Sequence, residues 1–278
     1  MKLSLHPVII GQSLSLQEFV RLAAETGYQG VDVDASSLAK MAEERGADAV
    51  QAIFAEAGVE PAGWGLPLDW RRDAESFQAG LSALSRTAEL MAAIGCPRTF
   101  TYIPPSTDGD PAEYRQLLVS RLGAVARVLE NSGVRIGLEW LGPRHIRASG
   151  TPVIWKMSHT LDLIDDIGLD NVGLLLDVWH WFNAEDTIDE LRHLRAEQIV
   201  HCHFNDAPDR PLDEQRDMER EIPGRGIIPL VDVLRALRDT GYAGFLAVEI
   251  FNDGLKKMEP REAALLVKQA CAEILARI

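Results

Sequence analysis

The sequence predicts an α/β protein folded as a single closed (β/α)₈ barrel that spans residues 1–278. Three observations predict it. Short runs rich in leucine and β-branched residues alternate with longer amphipathic segments about every 35 residues, the spacing of one strand and one helix per unit in such a barrel. Glycine follows one helical segment after another, at Gly27, Gly58, Gly95, Gly133, Gly168 and Gly241, where its tolerance of the left-handed conformation closes a helix. ETGYQGVDVD (Glu25–Asp34) and DTGYAGFLAVEI (Asp239–Ile250) share TGYxG followed by an alternating strand, which reads as a repeated unit. The rival is a doubly wound open sheet, which usually carries a glycine-rich phosphate turn after its first strand. Here that strand leads into HPVIIGQSLS, which has no GxGxxG.

In chain order, strands are expected at Lys2–Leu5, Gly30–Asp34, Glu60–Gly63, Arg98–Thr101, Arg135–Glu139, Val172–Asp177, Ile199–Phe204 and Phe245–Glu249. They are short and apolar, as strands must be when helices cover the outside and side chains fill the inside. The clearest helical patterns are Leu16–Glu25, Ala74–Ile94, Ala112–Asn131, Leu161–Ile167, Pro229–Asp239 and Pro260–Ala276. In Ala112–Asn131, for example, Leu117, Leu118, Leu122, Val125 and Leu129 make one stripe, with Arg127 and Glu130 outside it. The proline-rich piece Ile103–Pro111 and the charged piece Asp206–Glu221 read as long loops, which in a barrel belong at the functional face.

Composition narrows the class of partner. A hydrophobic content of 46% supports a sizeable core. The formal net charge of −14 argues against nucleic acid and anionic membrane, both of which need a positive surface. The chain carries no apolar run long enough for a transmembrane helix, and its first residues do not read as a signal peptide. Cys96, Cys202 and Cys271 are odd in number, widely spaced and without CxxC spacing. A reducing, cytoplasmic setting is therefore expected rather than a disulfide framework.

In such barrels the chemistry sits at the C-terminal ends of the strands. The last four expected strands end on, or close to, Glu139, Asp177, His203 and Glu249. Alternation puts His201 and His203 on one face with Cys202 opposite, and places His203 nearer the lip and His201 a layer deeper. Any one carboxylate at a strand end is most often a helix cap or half of a loop salt bridge. Three converging on one axis repel one another, and burial raises the cost unless they are paired or bind a cation. Two Glu, one Asp and one His make an oxygen-rich set that suits one divalent ion, with Mn²⁺ or Mg²⁺ favoured over Co²⁺ or Zn²⁺.

Around these four lie candidates for substrate contact. His180 follows Asp177 by three residues and reads as a contact to a substrate hydroxyl or carbonyl, with a role in orienting the carboxylate as the alternative. Trp64, Trp70 and Trp140 fall near strand ends, and Trp179, Trp181 and Phe182 follow Asp177; aromatic walls of this kind hold sugar-like rings. In EIPGRGIIPL (Glu221–Leu230) the glycines offer backbone N–H groups to an anion, or simply turn the chain into a helix. Arg225 between them is placed to meet substrate or solvent. His145 and Lys156, after the fifth strand, are further candidates near the mouth.

GLEW (Gly137–Trp140), GLLLDVWH (Gly173–His180), VHCHFND (Val200–Asp206), PGRGIIPL (Pro223–Leu230) and FLAVEIF (Phe245–Phe251) together resemble the xylose isomerase-like superfamily of TIM barrels. That group holds ketose 3-epimerases, hydroxypyruvate isomerases and endonuclease IV. NVGLLLDVWHW, the HFNDAPD loop leading to PGRG, and VEIFNDGLKKMEPREAA are most similar to the inosose isomerases within it. The resemblance implies metal ligands at Glu139, Asp177, His203 and Glu249. It makes Glu139 and Glu249 the catalytic acid and base on opposite faces of the substrate, puts His180 against substrate, and suggests a homo-oligomer. The segment WLGPRHIRASGTPVIW after Glu139 departs from the pattern and puts substrate identity in question. Seven histidines, mostly away from strand ends, and the acidic charge argue against a DNA-repair enzyme. The expected activity is metal-dependent isomerisation or epimerisation of a keto-polyol or ketose, an inosose first, through an enediolate. The alternatives are a dehydratase or lyase on a cyclic keto-polyol or keto-acid, and a non-catalytic sugar-binding barrel.

Overall fold

A computed structural model describes residues 1–278. Eight parallel strands form a closed barrel: β1 (Lys2–Leu5), β2 (Gly30–Val33), β3 (Glu60–Gly65), β4 (Arg98–Ile103), β5 (Arg135–Trp140), β6 (Val172–Asp177), β7 (Ile199–His203) and β8 (Phe245–Ala247). Each pairs with its neighbour in the sequence, and β8 pairs with β1 to close the ring. The main outer helices are α1 (Leu16–Glu25), α2 (Ala35–Arg45), α3 (Ala47–Ala57), α4 (Ala74–Ala93), α5 (Pro111–Glu130) and α6 (Met157–Ile167). After them come the short α7 (Val178–Asn183), then α8 (Leu230–Asp239) and α9 (Pro260–Leu275). The barrel expected from the alternation is the fold observed. No helix is long and apolar enough to cross a membrane.

The helices start where short polar side chains can satisfy their first N–H groups. Ser15 and Glu18 cap α1 reciprocally, and Asp34, Asp73 and Asp110 cap α2, α4 and α5. The leucine and valine stripe of α5 is buried at Leu118, Leu122, Val125 and Leu129, against the outer face of the barrel. Two helices, α2 and α3, occupy the stretch between β2 and β3 where the sequence showed no clear stripe. Gly46 breaks them apart with φ +86°, a conformation that side chains with a Cβ avoid.

Two loops decorate the mouth. Ser106–Thr107 pairs antiparallel with Thr151–Pro152, which ties the segment after β4 to the segment after β5. The second segment is also pinned to the loops after α7 and after β7: Arg144 pairs with Glu185 and with Asp213, and the Met157 N–H donates to Asp186 at 3.1 Å. That bond caps α6, whose own N-cap residue Lys156 contributes no side-chain bond.

The long loop Asp206–Glu221 and the PGRG turn behind it form one unit. Asp206 is fully buried, and its carboxylate accepts from the N–H groups of Ala207 (2.8 Å), Gly224 (2.9 Å), Gly226 (3.0 Å) and Ile228 (3.0 Å). The turn does present its N–H groups to an anion, as its glycines imply, but the anion is the protein's own side chain. A Cβ on Gly226 would stand 2.1 Å from the Ala207 carbonyl oxygen and 2.5 Å from Asp206 Oδ1, so only glycine fits there. Asp206→Ala would strand these donors in the interior and is expected to cost about 3 kcal/mol, with Asp206→Asn costing less because one acceptor remains. Urea unfolding, read as a shift in midpoint at constant slope, checks both values.

Candidate metal centre

Four side chains from four adjacent strands meet at the barrel mouth. Glu139 is the penultimate residue of β5, Asp177 ends β6, and His203 ends β7 directly opposite Asp177 in the strand register. Glu249 lies two residues past β8, on a tight turn in which its N–H donates to the Ala247 carbonyl at 2.9 Å. The strand therefore stops short of the glutamate, against expectation, and the turn delivers it. One ligand-type atom from each of the four lies within 4.8 Å of every other. His203 Nδ1 is 3.1 Å from Glu249 Oε2, 3.6 Å from Asp177 Oδ2 and 3.8 Å from Glu139 Oε1.

Asp177 does two things at once. Its Oδ1 accepts from the N–H groups of Trp179 and His180, capping α7, while Oδ2 faces the centre. Asn205 donates to both oxygens at 3.2 Å. The cap and the site are thus one carboxylate.

The structure adds a residue that the sequence did not single out. Arg220 is buried to 1% side-chain exposure. Its Nη1 donates to Asp177 Oδ2 at 2.8 Å and to Glu249 Oε2 at 2.9 Å, and Asp217 accepts from Nε and Nη2. Some of the charge that three converging carboxylates demand therefore comes from the protein itself. No signal in the charged loop Asp206–Glu221 distinguishes Arg220 from Arg210 or Arg216; only the fold does.

These contacts divide the carboxylates. Burial would raise Asp177, but Arg220 and then His203 hold it well below the usual carboxylate range. Burial likewise opposes ionisation of Glu249, and His203 and Arg220 override it. Glu139 has no contact with Arg220, so burial prevails and its carboxyl is raised, with His203 offsetting only part. Burial disfavours a charged His203, yet Glu249 first, then Asp177 and Glu139, raise it well above the ordinary imidazole value.

The donor set fits a divalent cation. Glu139 Oε1 and both ring nitrogens of His203 are buried without a well-directed hydrogen bond, although His203 Nδ1 has three carboxylate oxygens around it. Buried polar atoms of this kind need a partner. Below the centre lies a second polar layer: His201 Nε2 sits 2.9 Å from Asp32 Oδ2, and Ser4 donates to Asp32 Oδ1 at 2.8 Å, while His201 Nδ1 has no partner. His201 is one layer deeper than His203, and Cys202 between them is buried and faces away. His6 approaches Glu249 Oε1 at 3.6 Å.

Glu139, His203 and Glu249 line one end of an open cavity of about 490 Å³ whose other walls include Leu66, Phe100 and Tyr102. His180 is buried beside the centre, with Nε2 3.4 Å from Arg220 Nη2. The other expected contacts lie elsewhere. Trp64 is fully buried and donates to the Cys96 carbonyl at 3.0 Å, so it belongs to the layer between barrel and helices. Trp70, Trp140, Trp179 and Trp181 are buried too, and none lines the cavity. Arg225 is exposed in a separate surface depression against Leu266 and Ile274 of α9. His145 is exposed on a helical turn, Arg144–Arg147, and Lys156 sits at the start of α6; neither lines the cavity.

A family model described as "Xylose isomerase-like TIM barrel" matches residues 20–272. An inosose isomerase of Halalkalibacterium halodurans is 25% identical over 166 residues, 60% of this chain and 57% of that one. A 3-dehydroshikimate dehydratase of Pseudomonas aeruginosa is 27% identical over 266 residues, 92% of this chain and 39% of that one. The chain thus spans little more than half the length of the first relative and less of the second. The solved structure of a xylose isomerase domain protein from Alicyclobacillus acidocaldarius superposes with TM-score 0.93 at 35% identity, covering 100% of this chain and 99% of that one. The IOLI protein, described with a bound zinc atom, superposes with TM-score 0.85 at 21% identity, covering 100% and 99%, a likeness of fold.

Arg220→Met would leave Asp177 and Glu249 buried without their counter-charge. A loss of about 3 kcal/mol is expected in metal-free buffer, because removing one partner of a buried ion pair is costly. Arg220→Lys should recover part of it, and denaturant unfolding of the three proteins decides the order.

Proposed function

Because the chain belongs to the xylose isomerase-like TIM-barrel family, we propose that it is a divalent-metal-dependent isomerase or epimerase of a keto-polyol or ketose, with an inosose as the first substrate to test. One observation carries this reading: Glu139 and Glu249 face a single cavity from β5 and from the turn after β8, with Asp177 and His203 on the two strands between them. Two carboxylates standing on either side of a carbon acid are what proton removal and return require.

Glu139, Asp177, His203 and Glu249 would hold the metal. A divalent ion there supplies Lewis acidity toward the oxygens of a ketone and of the hydroxyl next to it. The remaining work falls to this chain's side chains. One glutamate takes the proton from the carbon beside the ketone. Return to the former ketone carbon, with the hydroxyl proton passing to the former ketone oxygen, isomerises the substrate, and return by the other glutamate to the opposite face of the original carbon epimerises it. Arg220 and Asp217 keep the Glu249 carboxylate in place, and Asn205 does the same for Asp177. His180, buried against Arg220 and not on the cavity wall, would steady Arg220 at the centre. The Halalkalibacterium relative named inosose isomerase supports the choice of substrate, and the zinc described with the IOLI protein supports the choice of cofactor class.

Glu139→Gln and Glu249→Gln keep shape and remove the base. With Mn²⁺ present and inososes or ketohexoses as substrate, each is expected to cut deuterium uptake from solvent at least about a hundredfold. NMR of the recovered sugar measures it. Exchange that persists in both variants overturns the acid and base roles, and a product lighter by one water makes the enzyme a lyase.

Metal dependence has its own readout. Adding Mn²⁺ or Zn²⁺ should raise the thermal midpoint of the wild-type protein, because a ligand that binds only the folded state stabilises it. Asp177→Asn should remove most of that rise, and a wild-type midpoint indifferent to either ion would sink the proposal.

A further inference from the structure

The cavity that opens onto Glu139, His203 and Glu249 has a second polar end. Asp69 and Arg71, in the loop after β3, line its outer wall together with Tyr102 of β4. Arg71 Nε donates to Asp69 Oδ1 at 2.8 Å, and the Arg71 backbone N–H donates to the same oxygen at 3.1 Å. The guanidinium carbon lies 4.6 Å from the ring centre of Tyr102 and 5.0 Å from that of Trp70. Trp70 is itself fixed: it is fully buried and donates to Thr101 Oγ1 at 3.2 Å. The guanidinium is therefore held at one corner and across its plane, while neither Nη1 nor Nη2 has a partner in the protein. Asp69 Oδ2 is also unpartnered. Beside them Tyr102 leaves 45% of its surface exposed, more than any other large hydrophobic side chain except Met218.

We infer that this wall is a subsite for two neighbouring hydroxyl groups at the far end of a neutral polyol ring, with Arg71 donating to them, Asp69 accepting from them, and Tyr102 lying against the carbon skeleton. This rests on the function proposed above and specifies its substrate class. The chemistry argues against an anion there. Asp69 already neutralises Arg71, and no other lysine or arginine lines the cavity, whereas Asp69, Glu139 and Glu249 all do. A carboxylate or phosphate would find no cation on this wall that is not already paired with a carboxylate, in a chain of net charge −14. Hydroxyls need both a donor and an acceptor, and the Asp69–Arg71 pair offers the two side by side at fixed spacing. The bond from Nε to Asp69 and the contacts with Trp70 and Tyr102 restrict the fork, so ordering it on binding costs less than for a free arginine.

Titration calorimetry with Mn²⁺ present tests the inference on three six-membered rings: myo-inositol and 2-keto-myo-inositol, which are neutral, and 3-dehydroshikimate, which carries a carboxylate. Wild-type protein is expected to bind the neutral rings. Arg71→Met and Asp69→Asn should each weaken that binding about tenfold, the value of one charge-assisted hydrogen bond. Arg71→Lys, which keeps the charge and loses the fork, should fall between. Unchanged thermal midpoints show that the variants remain folded. The inference is overturned if Arg71→Met and Asp69→Asn bind the neutral rings as tightly as wild type, or if wild type binds neither. It is also overturned if 3-dehydroshikimate binds more tightly and its binding is the one that Arg71→Met abolishes. Binding that depends on Arg71 and Asp69, in a protein that exchanges no substrate proton, would leave the subsite standing and refute the catalytic reading.

Discussion

Everything at the mouth of this barrel answers to the crowding of three carboxylates in a space a few ångströms across. Glu139 and Asp177 are set there by their strands and Glu249 by the turn after β8, and all three are largely shut off from solvent. Like charges at such distances are stable only with compensation. The protein supplies two kinds. Arg220 bridges Asp177 and Glu249 with one nitrogen, and His203 stands with Nδ1 among all three carboxylates. The compensation is uneven. Glu139 has no arginine, and it is the carboxyl that burial leaves raised. The glutamate left without a fixed cation marks the side of the centre where a further positive charge is still needed.

Arg220 can serve only if its loop is held, and the holding is done by the turn that seemed suited to an external anion. Asp206 starts that loop and spends its carboxylate on four backbone N–H groups of the PGRG unit. The Asp206 and Glu221 backbones then bond to each other in both directions at 3.0 and 2.9 Å, which closes the loop at its base. Beside that closure the Arg220 N–H donates to the Phe251 carbonyl, and Asn252 donates to the Arg220 carbonyl. The residues after β7 and those after β8 are thus stitched together around one guanidinium. Two buried aspartates work alike here: Asp177 caps a helix while facing the centre, and Asp206 caps a turn and thereby positions the arginine that Asp177 needs.

The alternation of apolar residues with period two, and the glycines after helices, made the barrel and most strand limits legible in the sequence. Position at the strand ends made Glu139 and Asp177 legible as site residues, and the period of two put His201 and His203 on one face with Cys202 on the other. The same period decides where the tryptophans face. Trp140 follows Glu139 directly, so when Glu139 faces in, Trp140 must face out. Trp64 follows Gly63, whose missing Cβ would point 3.3 Å from the His201 ring inside the barrel, so Trp64 faces the helices. Proximity to a strand end was the wrong criterion for these tryptophans; parity was the right one. Arg220, Arg71 and Asp69 had no such rule. They sit in loops without a period, and their orientation depends on contacts with residues far away in the chain, which spacing does not encode. The same holds for Glu249, whose place is set by a tight turn rather than by strand geometry.

The barrel divides its labour by strand number. β5 to β8 bring the ionisable groups, each neighbouring the next, so the centre is built along one arc of the ring. Next to β5 along the ring, β4 brings Phe100 and Tyr102, with Tyr102 paired in register with Glu139, and the loop after β3 carries Asp69 and Arg71. A ring-shaped ligand in the cavity would therefore meet both the ionisable groups and these hydrogen-bonding groups. The two sets differ in how they tolerate variation. The ionisable groups are coupled through Arg220 and His203, so changing one disturbs the charge balance of the rest. Asp69 and Arg71 share no such contact with them, being tied to each other and to Trp70 and Tyr102. Substitutions there alter what is recognised without disturbing the centre. The loop after β3 is thus where this scaffold can change its substrate at least cost, and the arc from β5 to β8 is where it cannot.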